Sequence, residues 1–186
     1  MTSPLLPIPE AAIALQSGSV IAYPTEAVWG LGCDPRNEDA VLRLLAIKQR
    51  AMQMGLVLIG TDFAQISTFI GLCPESAIAR ARETWPGPHT WIFPASDRAP
   101  KWITGGHAGI ALRITAHPVA AALCRGFGGA LVSTSANRHG EVPATDAASV
   151  QKALDLPDEA MVDGELGGLE RPTSIRDAIT GDIVRH

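Results

Sequence analysis

Cysteine is scarce: three residues among 186, Cys33, Cys73 and Cys124, with no two in a CxxC pair. That spacing excludes a disulfide framework and a cysteine-built zinc site. No apolar run approaches the ~20 residues of a membrane span. The opening residues, MTSPLLPIPE, have neither a basic segment nor a long apolar one, so no secretory leader is read and the cytoplasm is the expected location. Basic excess is missing too. A net charge of −4 argues against broad electrostatic capture of nucleic acid.

Several catalytic signatures are absent. There is no GxxxxGK[ST] loop, and the GxG of GLGCDP meets Pro35 where a dinucleotide fingerprint needs its last glycine. No GxSxG elbow or HExxH helix occurs, and the five histidines are dispersed. His89 and His117 read as turn or helix-start residues, and no metal ligand is assigned. Arginine outnumbers lysine 12 to 3, which fits either composition bias or selection for forked donors that grip phosphate and carboxylate.

What is present is a chain of ordinary globular composition, 46% hydrophobic and 18% charged, expected to form one domain over residues 1–186. A domain of this size buries roughly 70% of the surface its unfolded chain exposes. Pro9 to Ser17 predicts a helix stopped by Gly18, and SVIAYP a buried strand. Asn37 can cap a helix carrying Val41, Leu44, Leu45 and Lys48 on one stripe. GLVLIG reads as a strand, and Asp62 and Pro74 open two short helices, the second ending before WPGPHT. Strands are expected at Thr90 to Phe93, Ile110 to Ile114, Ala130 to Ser133 and Ile183 to Arg185, with helices at Pro118 to Cys124 and Asp146 to Leu154. Thr104 to Gly109, TGGHAG, reads as a mobile loop. Interleaved helices and strands imply an α/β domain with a largely buried sheet.

Polar clusters fall at strand ends, where α/β sheets collect ligands. In YPTE, the two glycines that follow suggest that the strand ends there. STSAN, Ser133 to Asn137, is either an anion cradle or a turn that satisfies its own backbone. In IKQR, Lys48 and Arg50 end a helix two residues apart; they either complement the helix dipole or, if the chain unwinds, aim at one ligand. Arg113 stands in the apolar strand ALRIT and needs a partner there, either a bound carboxylate or phosphate or an internal acid. A site of hydroxyls, cations and backbone suits phosphate positioning more than nucleophilic catalysis.

AYPTEAVWGLGCDP, LLAIKQR, GLVLI, WPGPHT, ALRITAHP and LVSTSAN, in that order, resemble the YrdC/TsaC family, the threonylcarbamoyl-AMP synthases. The likeness runs from about Val20 to Arg185. It implies a twisted mixed α/β sheet flanked by helices, with a large concave cleft, and the short form of the family. It implies nucleotidyltransferase activity: L-threonine, bicarbonate and ATP, with Mg²⁺, give threonylcarbamoyl-adenylate and pyrophosphate for modification of adenosine 37 in tRNA.

By the same matching, Thr25 hydrogen-bonds threonine while Tyr23 and Trp29 shape its pocket, Arg113 takes its carboxylate, and Ser133 and Thr173 offer hydroxyls. Lys48 and Arg50 match the Lys-x-Arg pair at the ATP phosphates and carry the catalytic role. Ser135 and Asn137 match the nucleotide's Ser-x-Asn motif, with Arg185 and Thr90 on the ATP side. The chain departs from the pattern at Ala51, a common proline, at Met54, often basic, and at His139, usually serine. The resemblance also implies contact with tRNA or with the tRNA threonylcarbamoyltransferase, and no membrane.

The implied chemistry accounts for the lack of a triad. Threonine's amine joins bicarbonate or carbon dioxide as a carbamate, and that anion attacks the α-phosphate, so the adenylation step needs charge neutralisation and in-line alignment rather than a tuned histidine. Two other functions remain open on sequence: an RNA-binding or ribosome-maturation module, and a carbamoyl-adenylate-handling domain like that of hydrogenase maturation factors.

Overall fold

The structure, a computed structural model, describes residues 5–156, 160–170 and 174–185. Helix α1 (Ile8–Gln16) precedes a hairpin of β1 (Ile21–Pro24) and β2 (Trp29–Gly32). Then follow α2 (Glu38–Lys48), β3 (Val57–Gly60), α3 (Phe63–Ser67), α4 (Glu75–Arg82), β4 (Thr90–Pro94) and α5 (Lys101–Thr104). The chain continues through β5 (Gly109–Ile114), α6 (Pro118–Phe127), β6 (Leu131–Ser135), α7 (Ala147–Leu154), β7 (Ile175–Asp177) and β8 (Ile183–Arg185). The helix starts follow the capping chemistry: Asn37, Asp62 and Asp146 each accept a backbone N–H three residues on.

The described strands form one mixed sheet in the order β1-β2-β6-β3-β5-β4-β7-β8. β3 pairs in parallel with β5, and β4 with β7, while the other pairs are antiparallel. One face packs Ala22, Leu31, Leu58, Leu112 and Val132 against Val41, Leu44 and Leu45 of α2 and Ala77 and Ala81 of α4. On the opposite face Ile21, Tyr23, Ile59 and Leu131 pack against Ala11 and Leu15 of α1 and Ala120 and Leu123 of α6. Those two helices cover only part of that face. Alternation along the strands carries Val57, Ser133, Ala111, Arg113, Ile92 and Thr90 onto its remainder, where they line a cavity.

Strand β2 corrects the expectation that the chain ends its strand at the glycines. Gly30 and Gly32 are strand residues. A Cβ on Gly32 would lie 2.3 Å from the Val132 carbonyl and 2.9 Å from the Tyr23 ring, and one on Gly30 would lie 2.9 Å from the Thr25 methyl. Gly32 lets the buried Tyr23 and the partner strand approach closely, which glycine in a strand permits. β7, α5 and a 3-10 turn at Met52–Met54 are likewise elements that periodicity does not mark.

Candidate functional site

The cavity measures ≈ 630 Å³ and is walled by the β1–β2 turn, the segment leading into β3, the loop after α5 and the strand floor. Its lining includes Thr25, Trp29, Arg50, Thr90, Arg113, Ser133, Ser135 and Arg185. The strand-end clusters YPTE, RIT and VSTSAN meet here through Thr25, Arg113, Ser133 and Ser135, and Arg50, Thr90 and Arg185 join them from other stretches of chain. Lys48, Tyr23 and Asn137 stand behind that lining, and Thr173 lies outside the described residues.

The two cations of IKQR part company. The chain does unwind there, with Gln49 in the left-handed region at φ 50°, but Lys48 belongs to the buried stripe of α2. Its ammonium donates to the Ser135 and Asn137 carbonyls, the latter at 2.7 Å. Burial, with Arg50 a lesser cause, lowers its pKa to about 8. Arg50 turns instead to the cavity, donating from Nη2 to the Gly55 carbonyl at 3.0 Å while its buried Nε has no partner. Burial and the nearby Arg185 both disfavour its charge. Two guanidiniums that repel one another across a cavity wall suit an anion between them.

The Asn137 amide donates to the Arg138 and Glu141 carbonyls at 2.7 and 2.9 Å, so its side chain closes the turn after β6, while its buried Oδ1 has no hydrogen-bond partner. Tyr23 donates to the Val132 carbonyl at 3.2 Å, and burial pushes its phenol pKa up. Thr25 donates to the Val28 carbonyl at 2.6 Å, fixing the hairpin turn and leaving its oxygen able to accept from a ligand. Of the departures from the family pattern, Met54 joins the cavity wall, while the His139 backbone N–H donates to the Lys48 carbonyl at 2.8 Å.

Arg113 has the internal acid that its burial called for. Its Nη2 lies 3.6 Å from Glu26 Oε2, with both side chains nearly buried, yet Arg113 Nε and Glu26 Oε2 have no hydrogen-bond partner. Glu26 Oε1 accepts from the Thr115 hydroxyl at 2.7 Å, and that oxygen accepts from the His117 N–H at 3.1 Å. Glu26 is the residue that sequence reasoning passes over. Its only signal is its place after Thr25 in YPTE, and the contact with Arg113 depends on pairing β5 to β3.

Arg113 is in register with Ile59 on β3, whereas Arg50 holds the Gly55 carbonyl ahead of that strand, so the two guanidiniums reach the cavity from different stretches of chain. No group of three or more His, Cys, Asp or Glu among the described residues could hold a metal ion. Among the same residues no helix is long and apolar enough to cross a membrane.

Mixed α/β sheets that floor a cavity lined by arginines and hydroxyls are the class of protein that this structure defines. Within it, the chain belongs to the Sua5/YciO/YrdC family, whose model, described as "Telomere recombination", matches residues 13–186. The chain is 53% identical to the threonylcarbamoyl-AMP synthase of Halorhodospira halophila, over 95% of this chain and 92% of that one. It is 53% identical to the threonylcarbamoyl-AMP synthase of Xanthomonas campestris, over 98% of this chain and 99% of that one. The structure of P. abyssi Sua5 complexed with L-threonine superposes with a TM-score of 0.85 at 32% identity, covering 91% of this chain and 50% of that protein. The chain thus spans about half the length of Sua5.

Proposed function

We propose that the chain is a threonylcarbamoyl-AMP synthase. It joins L-threonine, bicarbonate and ATP into threonylcarbamoyl-adenylate, with release of pyrophosphate, for N6-threonylcarbamoyladenosine modification at position 37 of tRNA in the cytoplasm. The observation that carries this reading is a cavity lined by Arg113 and by the neighbouring Arg50 and Arg185, in a chain whose curated relatives bear that name.

In this reading Arg113 grips the threonine carboxylate, Thr25 and Ser133 meet the hydroxyl end, and Tyr23 and Trp29 shape the pocket from behind and beside it. Arg50 and Arg185 neutralise the triphosphate, with Thr90 and Ser135 offering hydroxyls to the nucleotide. Lys48 and Asn137 act on that pocket through the turn after β6 that their hydrogen bonds hold. Mg²⁺ enters on the phosphates of ATP as part of the substrate, since octahedral Mg²⁺ is commonly held by phosphate and water rather than by a protein cage.

The chain's residues bind, align and neutralise. A carbamate oxygen is already anionic when it meets the α-phosphate, so the gain comes from in-line placement and from cations at the leaving pyrophosphate. A carbamate is labile in water, and a walled cavity limits that loss. The product passes to a tRNA-modifying transferase. With a net charge of −4 the chain has no broad basic field for RNA of its own.

The test is pyrophosphate release with threonine, bicarbonate and ATP omitted one at a time. All three are required. Release without threonine would overturn this reading, and adenylate formed from added carbamoyl phosphate, with threonine ignored, would favour a carbamoyl-adenylate-handling domain.

A further inference from the structure

Glu26 is the acid of the cavity lining, and it is held in place from several sides. Its backbone carbonyl accepts from the Leu169 N–H at 3.0 Å, and Gly167 crosses so closely that a Cβ there would lie 2.9 Å from the Glu26 Cα. The Thr115 hydroxyl, whose oxygen is occupied by the His117 N–H, has its proton committed to Glu26 Oε1. That leaves Oε2 buried, without a hydrogen bond, and 3.6 Å from Arg113 Nη2. A carboxylate so placed holds one oxygen in reserve for a donor.

From this geometry we infer that Glu26 is a catalytic residue that binds the α-ammonium of threonine and takes its proton. The inference rests on the assignment of the threonine carboxylate to Arg113. In any α-amino acid the amine is one carbon removed from the carboxylate, so a carboxylate gripped by Arg113 sets the nitrogen beside the one acid that flanks the guanidinium. A buried ammonium needs an anionic partner, and Oε2, ion-paired with Arg113 but without a hydrogen bond, is the oxygen with room for one.

The chemistry needs such a group. An ammonium has no lone pair with which to attack carbon. Transfer of one N–H proton to Glu26 gives a neutral amine and a carboxylic acid. The amine lone pair then forms the N–C bond to bicarbonate as the C–OH bond breaks. The departing hydroxide takes a second nitrogen proton and leaves as water, and the carbamate retains the third. Glu26 returns its proton to solvent before the next turnover.

The test compares Glu26→Gln with wild type in pyrophosphate release at saturating ATP and bicarbonate, from about pH 7 to about pH 10. The ratio of the two rates cancels the pH dependence of bicarbonate itself. We expect the variant to be about 10²-fold slower near neutrality, the lower end for loss of a general base, and to recover as threonine's own ammonium loses its proton to solvent. A ratio that stays constant with pH would assign Glu26 a purely structural role and overturn the inference.

A second measurement needs no variant. Wild-type protein titrated with threonine and with 2,3-dihydroxybutyrate, the same acid with a hydroxyl replacing the amine, should bind the analogue at least about tenfold more weakly. Equal affinities overturn the inference even if Glu26→Gln fails to fold. Wild-type protein that makes no pyrophosphate from the three substrates takes down the proposed function, and this step with it.

Discussion

The Lys48 ammonium donates to the Asn137 carbonyl at 2.7 Å, across 89 residues of sequence, and to the Ser135 carbonyl beside it. A lysine spaced for phosphate therefore ties the end of α2 to the turn after β6. Lys48→Met should strand the Asn137 carbonyl, while that of Ser135 keeps the Asn137 N–H at 3.0 Å, and destabilise the fold by about 2 kcal/mol, the scale of an unsatisfied buried acceptor. Turnover should fall as the Ser135 hydroxyl shifts. Urea melts beside pyrophosphate assays check this; lost turnover at unchanged stability would put the amine on the nucleotide itself.

The same amine sets a pH dependence. Its pKa falls from 10.5 to about 8 in the folded chain, chiefly through burial. Between those values the unfolded chain holds a proton that the folded one has released, so stability rises with pH through the window and the gain is lost as pH falls toward 8. The stability of wild type relative to Lys48→Met should therefore increase from about pH 8 to about pH 10. Melts at both ends of that interval measure it, and a flat difference would mean that the amine is solvated.

Substrate choice follows from the hydroxyls of Thr25 and Ser133 on the cavity wall. Serine lacks one methyl, worth only ~1 to 3 kcal/mol of discrimination, so it should be a poor but measurable substrate. Valine should be worse, because a polar partner of the threonine hydroxyl goes unpaired. Equal specificity constants for threonine and valine would exclude that polar contact.

Gly32 should tolerate no side chain. Its φ is ordinary, but a Cβ would meet the Val132 carbonyl at 2.3 Å, and that atom is backbone in a paired strand. Gly32→Ala should part β2 from Tyr23 and β6, costing more than about 3 kcal/mol, in the range of severe overpacking. A thermal melt within a few degrees of wild type would show that the strands can separate cheaply.

The course of the fold was legible in the sequence where local chemistry decides. Asn37, Asp62 and Asp146 mark helix starts because capping is a contact over three residues, and the Val41, Leu44, Leu45 and Lys48 stripe is buried as its spacing requires. β2 was not legible, since Gly30 and Gly32 have low strand propensity, and Gly32 owes its place to Tyr23 and Val132 on the flanking strands. The site divides in the same way. The family's motifs pointed to Arg50, Arg113, Ser135 and Arg185, which the fold brings to one cavity. They also pointed to Lys48 and Asn137, whose hydrogen bonds to carbonyls depend on where β6 lies beside α2. Glu26 escaped notice because its meaning comes from Arg113, 87 residues on.

Arg113 offers the sharpest division between binding and architecture. Replacing it with methionine would leave Glu26 nearly buried with no counter-charge, and an unpaired carboxylate there would confound affinity with stability. Lysine keeps the positive charge beside Glu26 but loses the planar fork that grips a carboxylate through two parallel bonds. Arg113→Lys should therefore fold, bind ATP almost normally, and lose threonine affinity by ~1.5 to 3 kcal/mol, the worth of a hydrogen bond to a charged group. Calorimetric titration of threonine into the ATP-loaded variant, with a thermal melt alongside, separates the possibilities. A lowered melting temperature with threonine affinity intact would make the Glu26 pair the whole purpose of Arg113 and remove it from the substrate site.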